Sequence, residues 1–309
     1  MTVFSTLGSN VCNFINLRKY VDKIKIEWTD IFEHIKPILI LFFMSIATTV
    51  YTNLDNIMLG IIQSDEDVGY YSTAIAIRRV LLMVVTSLGA VMLPRASYCI
   101  ENNLEEQFKR LCKKAMNFVT GIAIPLIFFS IIVSEMGIKI YAGKEFMESA
   151  NILIIILPTI LLVGWSNITG IQMLIPMNKE KIVAVSVTVG AIVDFILNLV
   201  FIPSFKGAGA AMATVIAEIA VLIVQLKGLG YQISSDLFKL KWKNYFISSA
   251  VASGVCLIMM HILNVIPFLE LIILCISYFM TYVVLMLILK DELYIEIFYE
   301  VKKILKRWF

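Results

Sequence analysis

Apolar stretches long enough to cross a bilayer, roughly 20 residues at about 1.5 Å each for a 30 Å hydrocarbon layer, follow one another along this chain with short polar joints between them. The pattern predicts eight spans, at residues 37–61, 68–93, 115–134, 151–175, 182–202, 207–227, 244–262 and 268–289. Residues 4–16 read as the last turns of a further helix, too short to span. The joints leave no room for a folded extramembrane domain. Pro37 falls in the first turn of its helix, where a missing N–H is harmless. Pro125 and Pro158 fall inside spans and are expected to kink them. Two stretches outside the spans follow an amphipathic helical period. Residues 101–114 gather Leu104, Phe108 and Leu111 on one face, and residues 290–309 gather Tyr294, Ile297, Val301 and Trp308. Both read as helices lying on the inner membrane surface.

Composition agrees. Of the 309 residues 60% are apolar and 16% charged, and mean hydropathy is +0.88; soluble domains carry about 25% charged residues. The fold class is therefore an all-α integral membrane protein. Charge then orients it. With residues 1–36 cytoplasmic and the spans alternating, the cytoplasmic segments hold 21 basic residues and the outer loops only three, Lys139, Lys144 and Lys206. Basic loops stay inside, so both termini are expected in the cytoplasm. No cleavable secretory signal is expected at the start of the chain. The five cysteines show neither C-x-x-C spacing nor a histidine cluster, so no zinc site or disulfide framework is expected. Nor is a cofactor or a nucleic-acid partner.

Five charged groups fall well inside the spans, away from their ends: Asp55, Arg78, Arg79, Asp194 and Glu218. A central arginine costs about 2.5–3.5 kcal/mol on an insertion scale, so the adjacent pair costs about 5–7 kcal/mol. Such groups face a cavity or a partner, and mark substrate paths. Counting helix rise from the hairpin between the first two spans, Asp55 and Arg78 lie at similar depth, so Asp55 is expected to pair with one arginine. That leaves the other free for an anion such as phosphate. The face through Arg79 carries Ser72, Ala76, Thr86 and Ala90; the face through Arg78 carries Tyr71, Ala74, Val85 and Gly89. Polarity favours Arg79 for the cavity. Asp194 and Asn198, four apart, share one helix face. Asp194 or Glu218 is a candidate for coupling to an ion gradient, or for a hydrogen bond that only holds helices together. The small residues of GAGAAMAT (207–214) are expected to let the sixth span pack closely. His34 and His261 stand without ligand partners, and no phosphate loop or nucleophile elbow occurs, so an enzyme is not expected.

HIKPILILFFMSIATTVYTNLDNIMLG (34–60), VGYYSTA (68–74), LGAVMLPRAS (88–97), IYAGKEFMESANILIIILP (140–158) and FILNLVFIPSFKGAGAAMAT (195–214) occur in that order. Together they resemble the C-terminal half of Wzx-type oligosaccharide flippases, of the multidrug/oligosaccharidyl-lipid/polysaccharide exporter superfamily. The resemblance implies helices 7–14 of a fourteen-helix, two-lobe transporter in a bacterial inner membrane. Residues 1–36 would be the end of a preceding helix and a cytoplasmic linker, 37–227 a six-helix C-terminal lobe, 228–289 two additional transmembrane helices, and 290–309 a cytoplasmic amphipathic tail. It also implies that the protein flips undecaprenyl-diphosphate-linked oligosaccharide, with Arg78 and Arg79 on the diphosphate, a cation near position 78 being usual in the family. Asp55 would orient the arginines. The N-terminal lobe is then expected to be missing from a truncated chain, or to be made separately. Two alternatives stay open: a cation-coupled drug exporter of the same superfamily, which would need an aromatic, acidic cavity, and a membrane fragment that does not transport.

Overall fold

The computed structural model describes residues 2–17, 53–87, 89–263 and 265–308 and divides into two compact units, Met1–Asn53 and Leu54–Phe309. In the first unit Thr2–Leu17 is a helix (α1), where the sequence predicts helical turns. Residues 37–52 of the first expected span lie outside the described residues. Its last turns belong to the second unit, as Leu54–Ile62 (α2).

Described residues of the second unit form helices throughout: Asp65–Thr86 (α3), Gly89–Glu101 (α4), Glu105–Ile132 (α5), Ser134–Tyr141 (α6), Glu148–Ile156 (α7), Thr159–Ser166 (α8, continued as a π-helix over Asn167–Leu174), Glu180–Leu229 (α9), Tyr231–Leu237 (α10), Trp242–Ile262 (α11), Pro267–Ile288 (α12) and Glu292–Trp308 (α13). Six helical runs among them are long and apolar enough to cross a membrane. The expected span 68–93 is corrected at both ends. It starts at Asp65 because Ser64 Oγ accepts from Asp67 N (3.3 Å) and three acids sit in the first turn, where the helix dipole favours them. It ends at Thr86, and Gly89 opens a separate helix. Nor is 101–114 a helix of its own: Asn103, in the left-handed region (φ 56), closes α4, and Glu105 starts the 28-residue α5. At about 42 Å, α5 outruns a 30 Å core by some two turns. Pro158 breaks its span as expected, separating α7 from α8.

α9 runs for 50 residues, and a straight helix of that length would be about 75 Å long. It folds back instead at Lys206, whose dihedrals are non-helical (φ 51, ψ −132). Asn198 and Thr214, sixteen residues apart, both bond Asp55. Gln225 Nε2 donates to Ser186 Oγ (3.2 Å) and Lys179 Nζ to Gly228 O (3.3 Å). The two arms are the expected spans 182–202 and 207–227. At the bend, Gln63 Nε2 donates to Ile202 O (3.0 Å), the carbonyl that a continuing helix would bond to Lys206, and Lys206 Nζ lies 3.3 Å from the buried Asp67. The small residues earn their place here: a Cβ on Gly209 would stand 2.4 Å from Phe201 O. Backbone cannot yield, so Gly209→Ala is expected to lower stability by about 3 kcal/mol. Gly254→Ala, with nothing within 4 Å, should leave thermal unfolding in detergent unchanged.

One apolar core joins α2 to α9, and a second joins α5, α11 and α12. Pro125 has no N–H to give the Gly121 carbonyl one turn earlier. Tyr282 and Tyr294 fill that vacancy, each donating to Gly121 O at 2.9 Å. Tyr294 thereby docks α13, helped by Lys114–Glu296 (2.9 Å) and Lys241–Glu292 (3.5 Å), so this amphipathic tail is anchored to the bundle. The double change Tyr282→Phe with Tyr294→Phe leaves a buried carbonyl bare, for an expected loss of about 1–3 kcal/mol. Adding Pro125→Ala, which restores the N–H, should recover much of it in the same melting measurement.

Candidate functional site

Asp55 lies in the first turn of α2, and polar groups from three other helical segments converge on it. Tyr71 OH from α3 donates to Oδ2, Thr214 Oγ1 from the second arm of α9 donates to Oδ2 (3.0 Å), and Asn198 Nδ2 from the first arm donates to Oδ1 (2.7 Å). Asp194, one turn before Asn198 on the same helix face, is near enough to Asp55 for the two carboxyl groups to act on each other electrostatically. Two neighbouring carboxyl groups inside a membrane call for positive charge near them, either a proton or a cation. Two further oxygens point the same way: Asp194 Oδ1 and Asn198 Oδ1 are buried and have no hydrogen-bond partner among the described residues. Buried orphan acceptors are rare and call for a donor or an ion. The hairpin explains the convergence, because Asn198 and Thr214 sit eight residues either side of Lys206 and meet at one level.

The arginines stand apart. Arg78 Nε donates to Thr159 Oγ1 (2.5 Å), at the break that Pro158 makes between α7 and α8, and Arg78 acts electrostatically on Tyr71 and Glu218. Arg79 is exposed on the face that carries Ser72, whose hydroxyl donates to Asn56 Oδ1 (3.1 Å). No carboxylate lies within 4.0 Å of either guanidinium among the described residues.

Among the described residues Asp55 thus bonds Tyr71, Thr214 and Asn198, and the expected pairing with an arginine is not formed. The reason is register. α3 begins at Asp65, three residues before the expected start of its span at Val68, which shifts its levels by about 4.5 Å. Asp55, seven residues before the end of α2, therefore meets Tyr71, and Arg78 lies two turns deeper. Glu218 is one turn beyond Thr214 on the second arm, in the field of Arg78 and itself acting on Asp194. Tyr71 and Thr214 are the site residues that the sequence reading passed over. Equal spacing of Asn198 and Thr214 about the polar joint at Lys206 was the signal available for finding them.

Residues 2–151 match the family described as polysaccharide biosynthesis protein. Over 173 residues the chain is 25% identical to the Haloferax volcanii protein named low-salt glycan biosynthesis flippase Agl15, covering 56% of this chain and 36% of that one. Over 191 residues it is 27% identical to an O-antigen transporter of Shigella dysenteriae, covering 61% and 47%. In sequence the chain is similar to flippases and O-antigen transporters. The Escherichia coli O-antigen transporter is 24% identical over 185 residues. The matched stretch spans less than half the length of each of these relatives. Among solved structures, lipid II flippase MurJ in an inward closed conformation superposes with a TM-score of 0.69 over 91% of this chain and 59% of that one, at 18% identity. The likeness is one of fold: a multi-pass, all-helical architecture.

Proposed function

We propose that this chain is the C-terminal lobe of a flippase that carries undecaprenyl-diphosphate-linked oligosaccharide repeat units across a bacterial inner membrane, both termini facing the cytoplasm. It acts as a transporter and not as an enzyme. In this reading Arg78 and Arg79 bind the diphosphate from one wall of a cavity, and a second lobe, encoded upstream or separately, supplies the other wall. The pair of intramembrane guanidinium groups without a carboxylate within 4.0 Å among the described residues carries the proposal, since charge held in lipid at such cost calls for an opposite charge to meet it. Asp55, Asp194, Asn198 and Thr214 form the coupling site, where a proton or a sodium ion sits among hard oxygen donors and its release shifts the lobe between inward- and outward-facing states. Glu218 keeps the second arm electrically matched to Arg78. The test is export in cells that depend on the two-lobe protein: alanine at both arginines should abolish surface polysaccharide with the protein still in the membrane. Unchanged export would refute the role.

A further inference from the structure

A cavity of about 580 Å³ opens where the first turns of α5 meet α10 and the π-helical segment. Its floor is apolar, formed by the buried Cys112, Met173 and Leu237. Its rim is basic, with Lys109, Arg110 and Lys113 from α5 and Lys239 beyond α10. Acids share that rim, and the ion pairs show which cations they neutralise. Lys109 lies 3.2 Å from Glu106, and Lys239 lies 2.6 Å from Asp236. Arg110 and Lys113, three apart and so on one helix face, have no carboxylate within 4.0 Å among the described residues. Glu105 is the one rim acid outside these pairs.

Depth narrows the ligand. α5 is longer than the hydrocarbon layer, and the rim residues occupy the turns that outrun it, which is headgroup level. A ligand that fits has a negatively charged head for Arg110 and Lys113 and an apolar body for the floor. Basic pockets between membrane helices are suited to such heads. We infer that this cavity is a binding site for an anionic glycerophospholipid, its phosphate held between Arg110 and Lys113 and its glycerol and first acyl carbons against Met173 and Leu237. The site is separate from the Asp55 cluster and does not depend on the transport reading.

The purified chain, exchanged into detergent with phosphatidylglycerol or phosphatidylcholine, can be weighed intact by native mass spectrometry and the retained lipid titrated. Phosphatidylglycerol should be retained in preference to phosphatidylcholine. Arg110→Ala with Lys113→Ala should weaken its binding roughly thirty-fold, about five-fold per basic residue. Glu105→Gln, which removes the opposing charge and leaves the helix intact, should strengthen it several-fold and keeps the test open if the double variant does not fold. Equal retention of the two lipids, or affinity unmoved by all three substitutions, would overturn the assignment. So would displacement of the lipid by inorganic phosphate at matching concentration, since the ligand would then be the soluble ion.

Discussion

Replacing Asp194 by Asn is expected to remove the ion response of the protein while leaving its fold intact or firmer. In the native site two carboxyl groups act on each other inside the bundle, an arrangement that only a proton or a cation makes favourable. An amide at 194 ends the repulsion and can donate to Asp55. Melting in detergent should therefore rise or hold, and the added stability that sodium or acid confers on the wild-type chain should disappear. Asp55→Ala should behave differently. It strands the Asn198 amide, while Thr214 can turn its hydroxyl to Ala210 O (2.9 Å) and accept from the Tyr71 hydroxyl (3.4 Å). A buried donor left bare costs about 1–3 kcal/mol, so a loss of that size is expected along with the loss of coupling. A sodium or pH response that survives Asp194→Asn would move the coupling site elsewhere.

The arginine pair is the second place where a large effect is expected. Charge-assisted bonds to phosphate contribute about 1.5–3 kcal/mol each, so removing both should weaken the substrate-bound state by about 3–6 kcal/mol, roughly 10²- to 10⁴-fold. Insertion should move the opposite way, because two fewer charges in α3 lower its membrane cost by about 5–7 kcal/mol. A transport defect with undiminished membrane abundance is therefore the signature of a binding role. Single variants should differ. Arg78 is tethered to Thr159 and acts on Glu218, so Arg78→Ala should also perturb packing at the α7–α8 break, whereas the exposed Arg79 should affect substrate alone.

The sequence reading recovered what depends on period and length. The two arms of α9 were legible from twin apolar runs either side of a Pro-and-Lys joint, and Asp194 with Asn198 from their spacing of four. What it missed depends on where a helix starts. Asp65, Glu66 and Asp67 read as a polar loop, yet they cap the first turn of α3 beside Ser64, and that error in register gave Asp55 the wrong partner. Thr214 read as a packing residue because its role exists only once the hairpin closes. The bonds of Tyr282 and Tyr294 to Gly121 follow from Pro125, but a missing N–H in a sequence does not say which distant hydroxyl will replace it.

The most direct measurement of the central claim is flipping itself. The two-lobe protein, reconstituted in vesicles with fluorescent lipid-diphosphate oligosaccharide, is followed by how fast the label becomes accessible from the far side under an imposed ion gradient. The wild type should move the label, and the variant with alanine at 78 and 79 should not, at equal protein per vesicle. If that variant flips at the wild-type rate, the arginines do not hold the diphosphate.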